Sequence, residues 1–157
     1  MSDALLIKIS ADQIRSLDLA ALTGMAAADP SGLLQLEDRL ELQLDWPRAA
    51  DDPRELSEVS ECRLWSLRAD ARYPWLPLVL QRSSGQLARH VAMVVPHRFS
   101  RSEGLRFDDD ALSLWISHRL FVLDDWGQQH QLPMRGRLAQ MAAVLGFSVE
   151  PGFWPDA

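Results

Sequence analysis

Several stretches of the chain show hydrophobic patterns that are typical of β-strands. Leu5–Ile9 places its apolar side chains on one face. Between residues 34 and 46 the apolar residues fall on even positions, and only Asp38 interrupts this period of two. Residues 87–95 are apolar on both faces, as expected of an interior strand. We also predict a strand at residues 63–69.

Residues 34–46 admit more than one interpretation. The alternation predicts either a hairpin that turns near Asp38 and Arg39 or a single strand with a bulge. A helix is the alternative, because leucine, glutamate and glutamine are good helix formers. We favour strand structure because the period of two persists through the whole segment.

Two helices are predicted in the first half of the chain. Ser10 and Gln13 form a capping-box pattern, and the apolar residues that follow recur at helical spacing as far as Met25. Farther along, Asp52 precedes Pro53, a residue type that suits the first position of a helix. We therefore predict one continuous helix after Ser10 and one short helix from Pro53.

The strongest helical pattern begins at residues 108–110, where three aspartates suit the positive end of a helix dipole. Apolar residues lie on every face of this helix, so we expect it to be buried nearly all round. A second helix is predicted at residues 133–146. The facing ends of the two helices carry charges that oppose their dipoles, which predicts an ion pair between them. Its predicted members are Asp124 or Asp125 and Arg135 or Arg137.

These elements predict an α+β fold, organised as a single domain with a mostly antiparallel sheet packed against three or more helices. The predicted domain spans residues 1–157, with its core at about residues 5–147. Residues 148–157 form a C-terminal tail, in which Phe153 and Trp154 are expected to dock on the body of the domain.

Composition and charge narrow the class of protein. The chain has a net charge of −6 and no apolar run near the roughly 18 residues of a membrane span, so we expect no membrane insertion. The acidic balance argues against non-specific binding of nucleic acid, which depends on cationic contacts to phosphate. The chain begins without a secretory signal, and one cysteine, Cys62, excludes an intramolecular disulfide. We therefore expect a cytoplasmic protein.

Arginines concentrate in one segment of this acidic chain. Residues 61–107 contain eight arginines and three acidic residues, whereas the rest of the chain contains 8 basic and 19 acidic residues. The segment includes an aromatic and proline turn at residues 73–77 and a polar loop at residues 96–104. Such a local excess of cations predicts either internal ion pairs or a binding partner.

The sequence gives little support for catalysis or metal binding. The histidines and the cysteine lack metal-site spacing, and His90 is expected to be a hydrogen-bonded structural residue. No nucleophile elbow and no glycine-rich phosphate-binding motif occurs. Adjacent aspartates are expected to cap helices, and Cys62 is expected to be a packed thiol. We therefore predict no catalytic residue, no metal and no cofactor.

Two features are candidates for binding, and each has a structural alternative. Arg98 and Arg101, with the serines beside them, suit an anion, whereas pairing with acidic residues of the chain is the alternative. Tyr73 and Trp75 are residue types that dominate protein-binding hot spots. The alternative for Trp75 is a place in the core, because tryptophan is mostly buried in proteins.

Several sequence blocks, in this order, together resemble one family. The most specific are YPWLP at residues 73–77 and PHRFSRSEG at 96–104, beside DPRELSE at 52–58, RLW at 63–65 and HRLFVL at 118–123. Over about residues 40–146 the chain resembles the chlororespiratory reduction six family of cyanobacteria and chloroplasts. The first 35 residues and the tail resemble it more loosely.

The resemblance implies a chaperone-like assembly factor rather than an enzyme. Members of this family act in building the photosynthetic NAD(P)H dehydrogenase-like complex. The implied client is its ferredoxin-like peripheral subunit, which carries iron–sulfur clusters. Because one cysteine cannot hold such a cluster, any cluster would belong to the client or to another factor. The absence of a transit peptide points to the cyanobacterial branch.

We predict from these features a face that holds the client by protein–protein interaction. Its predicted residues are Tyr73, Trp75, His97, Arg98, Arg101 and Glu103. The alternative is a small enzyme that acts on an anionic metabolite, with His97 as acid or base and Arg98 and Arg101 as anion anchors. A deep pocket around His97 would favour the enzyme, and a shallow surface would favour docking.

Overall fold

The computed structural model describes residues 5–36, 39–72, 74–80 and 85–155 of the chain. Contacts divide the chain into two compact units, Met1–Val94 and Val95–Ala157, and each is described by itself. The α+β class is confirmed, but the mostly antiparallel sheet is wrong. Within the described residues, helices dominate, and the strands form one parallel pair and one antiparallel hairpin. The single-domain assignment stays a prediction.

The first unit begins with a pair of parallel strands. β1 (Leu5–Ile9), which confirms the predicted strand, lies beside β2 (Leu40–Leu44) in parallel register. The connection between them contains α1 (Ala11–Ser16), α2 (Ala20–Ala28) and a 3-10 turn at Gly32–Leu36. Parallel neighbours require such a long crossover, because the chain must return to the starting edge of the sheet.

The capping box is confirmed, whereas the single continuous helix predicted after it is wrong. Ser10 Oγ accepts a hydrogen bond from the Gln13 backbone N–H (3.2 Å), and Gln13 Oε1 accepts one from the Ser10 N–H (2.9 Å). α1 ends at Ser16; the next residue, Leu17, has a left-handed φ of 55°, and a separate α2 follows. Leu17 is exposed, so the helical spacing through this residue does not mark one buried face.

Two predicted strands of the first unit are helices. The segment 63–69 lies within α3 (Ser60–Arg72), and the segment 87–95 is α5 (Gly85–Ala92) followed by a turn. A short helix, α4 (Leu76–Val79), lies between them. The buried residues of α3 are Cys62, Trp65, Ser66, Ala69 and Asp70. Their intervals of three and four residues have the period of a helix, not of a strand.

The segment 34–46 is a strand only in its second half. Its residues 40–44 form β2, while residues 34–36 belong to a 3-10 turn. Asp38, where the turn of the hairpin was predicted, lies outside the described residues. Because the first half of this segment is a 3-10 turn and not a strand, the hairpin interpretation is wrong.

The short helix predicted from Pro53 is also replaced by other structure. A 3-10 turn at Leu56–Glu58 follows instead. Asp52 binds Arg54, with Arg54 Nη2 2.9 Å from Asp52 Oδ2. Hydrogen bonds from the side chain and the backbone of Arg54 lower the pKa of Asp52 to about 2. Asp52 therefore anchors a turn rather than capping a helix.

The second unit consists of a β-hairpin followed by two helices. β3 (His97–Ser100) pairs antiparallel with β4 (Gly104–Phe107). α6 (Asp109–Gln129) is capped by the side chain of Asp108, as the run of aspartates predicts. α7 (Arg135–Val144) begins two residues later than predicted. The connection between α6 and α7 is short, so the end of α6 and the start of α7 lie close together.

The predicted ion pair between these helices is confirmed, and so is the docking of the tail. Arg135 donates from Nε to Asp124 Oδ1 (2.9 Å) and from Nη2 to Asp124 Oδ2 (3.2 Å). Phe153 stacks on Phe121 with ring centroids 4.7 Å apart. The guanidinium of Arg135 lies 4.9 Å from the centre of the Trp154 ring. One arginine thus joins α6, α7 and the tail.

α6 is not buried all round, contrary to the prediction. Its core face carries Ile116, Leu120 and Leu123, all buried, whereas Leu114 is 74% exposed. Leu114, which lies outside this core face, therefore does not belong to a second buried face of α6. Across the part of the chain that the structure describes, no helix combines the length and the apolar character needed to cross a membrane.

Candidate functional site

The polar loop predicted at residues 96–104 is a folded hairpin. We call β3, β4 and their turn (residues 97–107) the arginine ribbon. The Glu103 N–H donates to Ser100 Oγ (3.0 Å) within the turn. Gly104 has a φ of 71°, a conformation that L side chains rarely adopt, so the turn depends on glycine at this position.

The register gives the arginine ribbon two chemically different faces. Arg98 lies opposite Arg106, and directly opposed residues of an antiparallel pair point to the same face. One face therefore carries two guanidinium groups. The other face is apolar apart from an imidazole, and carries His97 opposite Phe107 and Phe99 opposite Leu105.

The charges of the basic face are only partly balanced within the chain. Arg106 Nη1 lies 3.1 Å from Glu103 Oε2, and both side chains are exposed, so this ion pair adds little stability. Arg98 and Arg101 are exposed and form no ion pair with another described residue. Like charges opposite each other in a sheet are unfavourable. The pairing alternative thus holds for Arg106, whereas Arg98 and Arg101 are open to an anionic group.

The apolar face of the ribbon is also accessible. Phe99 is 56% exposed, which is unusual for a large aromatic side chain in a strand. His97 is half-buried, with its Nδ1 3.1 Å from the Val95 carbonyl and its ring 6.3 Å from that of Phe107. Arginine and aromatic side chains both recur in protein-binding hot spots, and the arginine ribbon carries an exposed example of each on opposite faces.

A concave surface of about 650 Å³ surrounds His97, and among the described residues one short segment supplies its lining. The lining residues all fall within positions 96–108, which form the ribbon and its two ends. Sites that bury a small substrate are clefts that cover most of the ligand surface. A concavity with walls from a single ribbon is better suited to the surface of another protein than to an enclosed metabolite.

The remaining predicted site residues have different positions. Trp75 is 6% exposed and belongs to the core of the first unit, which agrees with the core alternative. A side chain this buried is not a surface anchor in this structure. Tyr73 lies outside the described residues. His97, Arg98, Arg101 and Glu103 therefore remain as the part of the predicted face that the structure describes at a surface.

A buried polar cluster in the first unit escaped the sequence interpretation. Ser66 Oγ lies 3.4 Å from His90 Nδ1, and His90 Nε2 lies 3.5 Å from Asp70 Oδ1. All three residues are buried, so they form a polar link between α3 and α5, and His90 is the structural histidine that was expected. With α3 assigned as a strand, the one-turn spacing of Ser66 and Asp70 carried no meaning.

The cysteine and the other ligand types do not form a reactive centre in the described structure. Cys62 is fully buried, and burial raises the pKa of its thiol, which opposes formation of a nucleophilic thiolate. The described residues contain no group of three or more histidine, cysteine, aspartate or glutamate side chains that would hold a metal ion.

Comparison with known proteins gives one finding for the whole chain. A family model described as chlororespiratory reduction 6 matches residues 9–156 of the 157. The match therefore begins at the last residue of β1 and includes β2, the arginine ribbon and the docked tail. No solved structure matches the chain.

Proposed function

This chain belongs to the chlororespiratory reduction 6 family, and from this membership we propose that it is a non-enzymatic assembly factor for the photosynthetic NAD(P)H dehydrogenase-like complex. The family is consistent with a role in assembly of that complex. We further propose that the client is the peripheral subunit that carries the iron–sulfur clusters. The chain would hold this subunit before it joins the complex.

The observation that supports a docking role most directly is the composition of the arginine ribbon. Arg98 and Arg101 are exposed cations without an ion pair among the described residues, and Phe99 on the other face is an exposed aromatic ring. Arginine and aromatic side chains provide most of the binding energy at many protein interfaces. The proposed client therefore presents carboxylates to the arginine face of the ribbon and an apolar surface to the face that carries Phe99.

In this proposal the iron–sulfur clusters are held by the client and not by this chain. Iron–sulfur clusters are held by several cysteine thiolates, and the one cysteine of this chain is buried in α3. A factor without cluster ligands can still act by covering the client surface until its neighbours arrive. The interface would be transient, because the factor is proposed to leave before the complex is complete.

Capture of the peripheral subunit by the purified chain tests this proposal. Arg98→Ala/Arg101→Ala should weaken binding at least about tenfold, because each removes a hot-spot contact. Lys8→Ala/Arg68→Ala is the matched control, since it removes two exposed cations from the first unit. Trp75→Ala is not informative here, because emptying a buried tryptophan site costs about 3–5 kcal/mol of stability.

Two results would contradict parts of this proposal. Equal capture by the folded arginine double variant and by the wild-type chain would remove the ribbon from the interface. Failure of the wild-type chain to capture the subunit, under conditions in which both are folded, would overturn the choice of client.

A further inference from the structure

We propose that Glu103 is an internal competitor of the client, because its carboxylate holds the place on the arginine ribbon that a client carboxylate takes on binding. This inference rests on the proposed function for the identity of the client, and it concerns regulation of the same surface. It gives Glu103 a role opposite to the sequence-based prediction, which placed this residue among those that contact the client. Glu103 opposes binding and speeds release.

The basic face of the ribbon brings three side chains with hydrogen-bond donors together. Arg98 and Arg106 are directly opposed in the register, and Ser100 lies two residues from Arg98, so all three share one face. Ser100 Oγ accepts a hydrogen bond from the Glu103 N–H (3.0 Å), and its own O–H donates to no described residue. Two guanidinium groups and a hydroxyl therefore offer donors to an anionic group.

These donors are accessible to a ligand from solvent. Arg98 and Arg106 are both exposed, and Gly104, which lies opposite Ser100, has no side chain that would cover the hydroxyl. A Cβ added to Gly104 would meet no atom within 4 Å beyond its chain neighbours, so the space beside it is open. The basic face therefore has both the charge and the room for an anionic group of another protein.

A carboxylate of the chain itself already occupies part of this face. Glu103 Oε2 lies 3.1 Å from Arg106 Nη1, and both side chains are more than half exposed. The turn holds Glu103 near Arg106, because its backbone N–H is bonded to Ser100 and the left-handed φ of Gly104 (71°) reverses the chain. This ion pair shows that the face accepts a carboxylate. Glu103 thus stands where a carboxylate of the client would bind.

The ion pair between Glu103 and Arg106 is weak enough to open. Pairs of exposed charges contribute little to stability, because water screens both charges and the side chains lose freedom when they pair. Arg98 lies opposite Arg106 and repels it, and Glu103 balances one of these two cations. A client that brings two neighbouring carboxylates would balance both arginines and release Glu103 into solvent. We therefore expect a pair of carboxylates on the client surface that meets this face.

The position of Glu103 in the chain makes it an effective competitor. It lies three residues from Arg106, so its carboxylate stays close to the guanidinium even when the ion pair is broken. A tethered group of this kind rebinds without diffusing through solution, and each rebinding displaces a carboxylate of the client. Glu103 should therefore raise the rate of dissociation, in addition to slowing association by repulsion. Fast release suits a factor that leaves before the complex is complete.

Binding kinetics of the purified full chain with the peripheral subunit test this inference. Glu103→Gln keeps the size of the side chain and removes the charge that pairs with Arg106. We expect it to slow dissociation and to raise affinity about two- to fivefold, which is the strength of an exposed ion pair. Glu150→Gln is the matched control, since Glu150 is an exposed acid of the second unit without an ion pair among the described residues. It should leave the dissociation rate unchanged.

A double-mutant cycle shows whether Glu103 acts through Arg106. In an Arg106→Ala background the guanidinium that Glu103 holds is absent, so Glu103→Gln should slow dissociation by less than about 1.5-fold. Equal slowing with and without Arg106 would overturn the inference. So would weaker capture by Glu103→Gln than by the wild-type chain, because Glu103 would then contact the client. Both side chains are exposed, so we expect each variant to fold as the wild-type chain does.

A probe that does not depend on the client separates this inference from the proposed function. A hexaglutamate peptide carries neighbouring carboxylates, and at low salt it should bind Glu103→Gln about two- to fivefold more tightly than the wild-type chain. That gain, together with failure of the wild-type chain to capture the peripheral subunit, would retain the competitor and overturn the client. Capture of the subunit with an unchanged dissociation rate in Glu103→Gln would retain the function and overturn the competitor.

Discussion

At the scale of single residues, Cys62 shows how burial controls reactivity. Burial raises the pKa of its thiol, so the folded protein holds the proton more tightly than the unfolded chain does. The stability that this pKa shift contributes is fully present at low pH. It declines as the pH rises past the pKa of the thiol in the unfolded chain, about 8.5. We predict that a thiol reagent at pH 8 labels the native chain much more slowly than the denatured chain.

A thiol reagent whose absorbance changes on reaction measures the labelling rates of the native and the denatured chain directly. Cys62→Ala removes the only thiol and should give no signal, which makes it the control for specificity. Native labelling as fast as labelling in denaturant would contradict the prediction and would show that Cys62 is accessible.

Asp124 gives a second prediction at this scale. Its carboxylate accepts two hydrogen bonds from Arg135 and one from Gln128 Nε2 (3.2 Å), and the residue is buried. Asp124→Asn should lower the free energy of unfolding by about 1–3 kcal/mol, since charged hydrogen bonds are lost in a buried place. The neighbouring Asp125 is exposed and bonds only Gln129 among the described residues. Asp125→Asn should therefore change stability by no more than about 0.5 kcal/mol.

Chemical denaturation of the two variants measures both values. Equal effects in Asp124→Asn and Asp125→Asn would contradict the importance of the buried pair.

The sequence predicted this contact because the helix ends carried opposing charges. The sequence did not show whether Trp75 is buried or exposed, because a five-residue turn has no periodicity that separates a buried side from an exposed one.

At the scale of elements, α3 and α5 explain why two strand predictions failed. Apolar residues at positions 63–69 alternate over a short window, but the buried set of α3 includes polar Ser66 and Asp70. These polar residues are satisfied across the interior by His90, which is a tertiary contact. A pattern of apolar residues alone cannot reveal it. Elements with local end signals, such as the Ser10 capping box and the capped α6, were predicted correctly.

Two glycines in helices supply the prediction at this scale. Gly127 is buried in α6, and a Cβ there would lie 2.6 Å from Met134 Sδ and 3.0 Å from the Leu132 carbonyl oxygen. Gly127→Ala should lower the free energy of unfolding by about 1–3 kcal/mol, despite the better helix propensity of alanine. At Gly136 in α7 a Cβ meets nothing within 4 Å. Gly136→Ala should therefore raise stability by up to about 1 kcal/mol.

Thermal and chemical unfolding of the two alanine variants give these values. Stabilisation by Gly127→Ala would mean that the turn after α6 is able to move away. The opposite signs expected for one substitution separate close packing from helix propensity.

At the scale of the whole molecule, the class was predictable and the strand topology was not. Local patterns identified β1 and part of β2, but whether two strands run parallel depends on the crossover between them. That crossover contains a helix break at Leu17 and a 3-10 turn, neither of which has a strong sequence pattern. The arginine ribbon was found by its charge, although its pairing as a hairpin was missed.

The exposed charge of the arginine ribbon gives the last prediction. Cations of the arginine ribbon attract the client at a distance, and salt screens exposed charges over about 10 Å at 0.1 M and about 3 Å at 1 M. Raising salt from 0.05 to 0.5 M should therefore slow association of the wild-type chain with the client severalfold. Arg98→Ala/Arg101→Ala should bind with a nearly flat salt dependence, whereas the control Lys8→Ala/Arg68→Ala should keep most of the dependence. A salt slope that survives in the arginine double variant would place the attracting charge elsewhere on the chain.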